Sequence, residues 1–195
     1  TAAIEGDTHV TGVRLHDGGV MPADLVVMAV GIRPNVALAR EAGLAVGRGV
    51  IVDDTLTTSD PAIFALGECA EHRGQTYGLV APAWEQAAIL AHHLAGESVR
   101  YPGSIVGTNL KVAGVSVFSA GAIEVAASDD DLLYVDPSDA LYRRVILRDD
   151  KVVGAILVGD SSDGGWLFAL MREGRSVGAL REAVALGRHL ARAAA

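Results

Sequence analysis

The run TSDPAIFALGECAEH, residues 58–72, constrains the fold more than any other stretch. Turn residues Ser59, Asp60 and Pro61 lead into an apolar segment, Ile63, Phe64, Ala65 and Leu66, that stops at Gly67 and Glu68. A buried-type strand that ends on glycine marks a close approach to the backbone. A carboxylate directly behind it needs a partner, because burying it unpaired is costly. The loop CAEHRGQTYGLVAP follows, and then a helix that Pro82 opens, running through residue 94 and stopped by Gly96. A strand, a crevice and a helix N-terminus pointing back into it suit a ligand with hydroxyl groups and a partly negative end. Glu68 can accept hydrogen bonds from sugar or polyol hydroxyls. Backbone N–H groups around Val80, Ala81 and Ala83 can donate to an electron-rich atom, assisted by the helix dipole.

The residues before this run read as strands. A half-buried segment covers residues 10–15, and Asp17, Gly18 and Gly19 form a turn. Residues 25–30, LVVMAV, form a continuous apolar run suited to a central, fully buried strand, broken by GIRPN. A short helix over 36–42 is closed by Gly43, and another strand covers 50–52.

Residues 96–104, GESVRYPGS, have the Gly, Ser and Pro content of a connection. Beyond it the pattern predicts a strand over 110–118, a strand in DDDLLYVD, and a hairpin turning at Arg148, Asp149, Asp150 and Lys151. Val145 and Leu147 then lie on one face, Arg144 and Arg148 on the other. Two C-terminal helices complete an α+β domain from about 105 to 195. The second carries one apolar face of Val177, Leu180, Val184 and Leu190. Asp129, Asp130 and Asp131 read as a solvated turn, Trp166 as core, and Trp84 as packing near a ligand edge or an interface.

Half of the 195 residues are hydrophobic, mean hydropathy is +0.33, and the net charge is −8. That supports a packed core and gives no basic surface for nucleic acid. No apolar stretch reaches the roughly 18 residues of a membrane span. Cys69 is the single cysteine, so no internal disulfide, cysteine-rich metal site or iron–sulfur cluster can form here. It reads as a small buried hydrophobe rather than a redox group, and a reducing cytoplasm is the simplest setting. His92 and His93 are adjacent and point about 100° apart on a helix, which does not make a metal site. No catalytic acid or base and no metal ligand is assigned.

The same residues resemble the second flavin-binding motif of the pyridine nucleotide–disulfide oxidoreductase superfamily: a Thr, an apolar strand, then Ala-x-Gly-Asp. Thr58, Ile63, Phe64, Ala65, Gly67 and Glu68 match, with Glu in place of Asp. DLVVMAVGIRPN resembles the strand that closes the inserted NAD-binding domain, which makes Gly31 a candidate at the cofactor cleft. GECAEHRGQTYGLVAPAWEQA with GTNLKVAGVSVFSAG is similar to the large subunit of assimilatory NAD(P)H nitrite reductase, a subgroup in which GECA is usual.

The resemblance implies an α/β plus α+β fold: the C-terminal part of a two-dinucleotide-binding-domain flavoprotein, then an interface-type domain. Residues 1–35 would be the tail of the NAD(P)-binding domain, 36–104 the C-terminal part of the FAD-binding domain, and 105–195 the interface domain. It implies FAD at Gly67, Glu68, Val80, Ala81 and Pro82, with Glu68 on the ribityl chain. The glycine-rich turns that hold the FAD pyrophosphate and NAD do not occur in this sequence, so the expectation is an internal fragment whose partner is the rest of the parent chain. Siroheme and an iron–sulfur cluster belong outside it. Electrons from NAD(P)H would pass through FAD to a metal centre, for nitrite reduction. The alternatives are a rubredoxin or ferredoxin reductase, or a non-catalytic docking module that forms a homodimer.

Overall fold

A computed structural model describes residues 1–112 and 114–193. The chain divides into two compact units. The first comprises Thr1–Asp53 and Thr57–Leu79, and the second comprises Asp54–Leu56 with the chain from Val80 onward.

The first unit opens with an antiparallel meander, β1 (Ala3–Glu5), β2 (Gly12–Arg14) and β3 (Val20–Pro22). Arg14 Nε donates to Glu5 Oε1 at 2.6 Å across the β1–β2 pair. The helix expected at 36–42 is α1 (Ala37–Glu41). β4 (Val50–Val52) runs parallel to β5 (Ala70–His72), which pairs in turn with β6 (Gln75–Thr76). Val50 and Val52 stand opposite Ala70 and His72, all four buried, while Ile51 and Glu71 take the other face. This is the period-two burial of a small sheet covered on one side.

Two expected strands do not form here. Residues 25–30 carry no strand, and Leu25, Val27, Met28 and Val30 are each more than 70% exposed. Their β-prone side chains lack what a strand requires, a neighbour to share hydrogen bonds with, since no described segment pairs with them. Residues 63–66 make only one bridge, Phe64 to Thr57.

The second unit begins with α2 (Val80–Leu94), two residues ahead of the expected start. Pro82 still lies in the first turn, where a missing N–H costs nothing. A five-stranded antiparallel sheet follows, in the order β7 (Gly107–Val112), β8 (Val115–Gly121), β11 (Lys151–Val158), β10 (Leu141–Arg148), β9 (Asp130–Asp136). The single strand expected at 110–118 is thus two, β7 and β8, and Ala113 between them lies outside the described residues. The β10–β11 hairpin turns as expected, with Asp149 and Asp150 both at positive φ. A register shift between Ile146 and Leu147 breaks the alternation, so Val145, Ile146 and Leu147 are all buried. α3 (Gly164–Glu173) packs on β11 and β8 through Leu167, Leu170 and Met171, and Trp166 packs against this core.

The expected second C-terminal helix is a short 3-10 turn at Gly178–Leu180, irregular turns, and α4 (Arg188–Ala193). Gly178 and Gly187 interrupt the helical pattern. Val177 and Val184 still enter the core, whereas Leu190 is exposed. The alanine-rich end, Ala194 and Ala195, lies outside the described residues.

Asp129, Asp130 and Asp131 are ion-pair partners rather than a solvated turn. Asp129 takes two hydrogen bonds from Arg148, at 2.8 and 2.9 Å, and Asp131 two from Arg144, at 2.7 and 2.9 Å. Arg181 bridges Asp130 and Asp150. The guanidinium hydrogen bonds hold the carboxyls of Asp129 and Asp131 below the usual aspartate range. Lowered carboxyl pKa values stabilise the fold above the unfolded value, about 3.9, and this contribution is lost as pH falls through the folded values. Stability should therefore be flat on the neutral side and decline below about pH 4. An Arg144→Gln/Arg148→Gln double variant should show a shallower acid decline in thermal unfolding. An identical slope would contradict the assignment.

Among the described residues no helix is long and apolar enough to cross a membrane.

Candidate functional site

The first unit holds Gly67 and Glu68 on a 3-10 turn, Gly67–Cys69, entered from the extended Leu66. Gly67 is buried with φ 78°, a left-handed backbone that any residue with a Cβ disfavours. The inversion turns the next side chain outward. Glu68 is exposed, and its carboxylate meets no hydrogen-bond or ion-pair partner among the described residues. Its neighbour Cys69 is half-buried, with Sγ donating to the Leu66 carbonyl at 3.4 Å. Behind the turn lies an apolar cavity of about 330 Å³, walled by Leu38, Leu44, Val50, Ile63, Phe64 and Cys69.

Two contacts brace the turn. The Gly49 N–H donates to Glu71 Oε2 at 2.9 Å, and Arg48 Nη2 donates to the Gly74 carbonyl at 2.7 Å. They tie the glycine-flanked corner before β4 to β5, which starts directly after Cys69, and to the turn between β5 and β6.

Gly31 stands on the irregular segment after residue 30, exposed and at φ 86°. Ile32 brings this segment against Gly78, its Cγ1 lying 3.1 Å from where a Gly78 Cβ would be. The first unit thus gathers the GIRPN loop and the chain leading to α2.

The second unit holds Val80, Ala81 and Pro82 in the first turn of α2. Val80 and Ala81 are exposed and Pro82 is buried. That turn carries no acidic residue, while His92 and His93 sit in the last turn. Trp84 is exposed.

One group the sequence reading did not single out is Glu85. It accepts a hydrogen bond from Ser104 Oγ, and Ser104 Oγ lies 2.5 Å from the Tyr101 hydroxyl. Ser104 lies in a stretch whose Gly, Ser and Pro content signals only a connection, so no local pattern marks it as the partner of a helix residue nineteen positions earlier.

Among the described residues no group of three or more His, Cys, Asp or Glu could hold a metal ion.

The fold is shared with known proteins. Residues 1–87 match the pyridine nucleotide–disulphide oxidoreductase family, and residues 107–175 match the rubredoxin NAD+ reductase C-terminal domain. The chain belongs to the pyridine nucleotide–disulphide oxidoreductase superfamily. It is 50% identical over 174 residues to the NAD(P)H nitrite reductase of Bacillus subtilis, covering 89% of this chain and 22% of that protein. It is 44% identical over 164 residues to the assimilatory nitrate reductase electron transfer subunit of the same organism, covering 84% and 21%. A ferredoxin reductase from Rhodopseudomonas palustris superposes with TM-score 0.72 at 30% identity, over 98% of this chain and 48% of that one. The chain spans about a fifth of the length of the two Bacillus relatives.

Proposed function

We propose that this chain is a segment of an NAD(P)H-dependent flavin oxidoreductase that serves nitrite reduction. In this reading residues 1–35 close an NAD(P)-binding domain, 36–104 end an FAD-binding domain, and 105–195 form an interface-type domain. The observation that carries it is Glu68: an outward carboxylate with no described protein partner, placed by a buried glycine of positive φ. Such a group suits the hydroxyls of a ribityl chain. The first turn of α2 fits as well, since its orphan N–H groups and lack of carboxylates favour an electron-rich ring edge. Gly67 and Glu68 would hold the ribityl chain, Val80, Ala81 and Pro82 would line the ring edge, and Gly31 would border the nicotinamide side. FAD, when bound, supplies acceptance of two electrons from a reduced nicotinamide and their release one at a time. The protein residues here bind and orient. None is assigned a proton transfer.

Siroheme and an iron–sulfur cluster do not fit the residues present, which include one cysteine and no described metal-ligand cluster. In this reading they belong to other parts of a longer protein in the cytoplasm. A second reading, a reductase for a small iron–sulfur or rubredoxin-type carrier, draws on the match of residues 107–175 and on the ferredoxin reductase likeness.

The test is the longer protein that contains this chain, purified and assayed with NADH or NADPH. Released FAD and nitrite turnover faster than carrier reduction are expected. Faster carrier reduction would favour the second reading, and a protein without flavin would overturn both. The isolated chain should be colourless and bind FAD with Kd of about 1 mM or weaker, because it lacks a glycine-rich pyrophosphate turn, and the exposed apolar run at 25–30 should make it self-associate. Flavin fluorescence titration and light scattering check this. Micromolar binding would mean that these residues build a complete site.

A further inference from the structure

We infer that Glu85 is a positioning residue that fixes where the first turn of α2 stands against the connection at 96–104, and thereby tunes the redox poise of a flavin held at that turn. The inference rests on the flavin reading above and adds to it a residue that never touches the cofactor.

Three elements of the second unit meet at this one carboxylate. Glu85 itself lies on α2, one turn beyond Ala81. Its Oε2 accepts from Ser104 Oγ, which lies 2.5 Å from the Tyr101 hydroxyl. Tyr101 is an anchored group: it is 1% exposed, and its N–H donates to the Asp54 carbonyl at 2.7 Å. Glu85 Oε1 lies 3.9 Å from Arg172 Nη2 on α3.

Packing holds α2 on the side of the buried Pro82 and Gln86, not on the side of Glu85. α3 is the helix that packs on β11 and β8. Around Glu85 there is open space instead, a cavity of about 700 Å³ whose walls include Ile89, Tyr101, Ile105 and Arg172. Where side chains leave such a gap, close packing on that side does not hold the helix. On this side the hydrogen-bonded chain from Glu85 through Ser104 to the buried Tyr101 ties α2 to the connection.

The position of α2 matters because the partial positive charge of a helix start acts only within its first turn. A small retreat of Val80 and Ala81 weakens their stabilisation of negative charge on a reduced ring. Losing the anchor should therefore make the flavin harder to reduce. A direct effect of the Glu85 charge has the opposite sign, since removing a nearby negative charge makes a ring easier to reduce.

The experiment measures the flavin midpoint potential and visible spectrum of the longer flavoprotein, as wild type, Glu85→Ala, Glu85→Gln and Ser104→Ala. Glutamine keeps an oxygen for the Ser104 hydroxyl. The expected result is a negative shift in Glu85→Ala and Ser104→Ala, with Glu85→Gln close to wild type. Flavin lost from the two alanine variants but kept by the glutamine variant supports the inference equally. A positive shift shared by both Glu85 variants with Ser104→Ala silent would overturn it, as would unchanged potentials or flavin lost from all three. A wild type without flavin overturns the functional reading, and the inference with it; a flavin-bearing wild type whose variants fail the pattern overturns the inference alone.

Discussion

Arg143→Ala should destabilise the five-stranded domain by roughly 3–5 kcal/mol, the range for breaking one side of a buried ion pair. Arg143 projects from β10 with its side chain only 9% exposed. Nη1 donates to Asp163 Oδ2 at 2.7 Å and Nη2 to Asp160 Oδ2 at 2.8 Å. Asp163 also accepts the Arg188 N–H, at 3.3 Å, and directly precedes α3. The guanidinium therefore ties the sheet to the start of α3 and to the returning C-terminal segment. Gly187 closes over the pair so tightly that a Cβ there would stand 2.7 Å from both Arg143 Nη1 and Asp163 Oδ2. Removing the cation leaves the covered Asp163 carboxylate with the Arg188 N–H as its remaining donor among the described residues. Urea denaturation reads the loss, and a change below about 1 kcal/mol, the scale of a surface ion pair, would show that water replaces Arg143 freely.

Gly154→Ala should cost at least about 3 kcal/mol, the upper end of the usual penalty for overpacking. The reason is backbone against backbone. An alanine Cβ at 154 would lie 1.9 Å from the Ala122 carbonyl oxygen. Its cross-strand partner, Gly121, has the reciprocal constraint, with a Cβ position 2.1 Å from the Val153 oxygen. The Ala122 N–H donates to that Val153 oxygen at 2.8 Å, so neither chain can retreat without losing the bond that closes the β8–β11 pair. Gly165→Ala is the control. Nothing lies within 4 Å of its Cβ position on α3, and alanine should be neutral or up to about 1 kcal/mol stabilising there. A shift of the urea midpoint at constant slope checks both. A loss below about 1 kcal/mol for Gly154→Ala would contradict the close crossing.

What was legible in the sequence was local. The hairpin at Arg148, Asp149, Asp150 and Lys151 follows from residues that tolerate positive φ between two apolar runs. The Gly67–Glu68 turn and α2 follow from a glycine stop and a proline near a helix start. What was not legible depended on distant partners. Residues 25–30 have strand chemistry but no described neighbour to pair with. Asp129 and Asp131 resemble a solvated turn until Arg148 and Arg144 arrive from the next strand, 19 and 13 residues on. The last helix fails at Gly178 and Gly187, where the chain bends to seat Val177 and Val184 in the core. Of the candidate site, the residue types of the turn could be read directly. The outward, unpartnered setting of Glu68 and the Glu85–Ser104–Tyr101 chain required three dimensions.

The central claim is that Glu68 is directed at a flavin rather than at the protein. Its most direct measurement is FAD affinity of the flavin-stripped longer protein, wild type against Glu68→Ala, by fluorescence titration. A lost hydrogen bond to a charged group is worth roughly 1.5–3 kcal/mol, so the variant should bind FAD about 10- to 150-fold more weakly. Equal affinity in the two proteins would contradict the account.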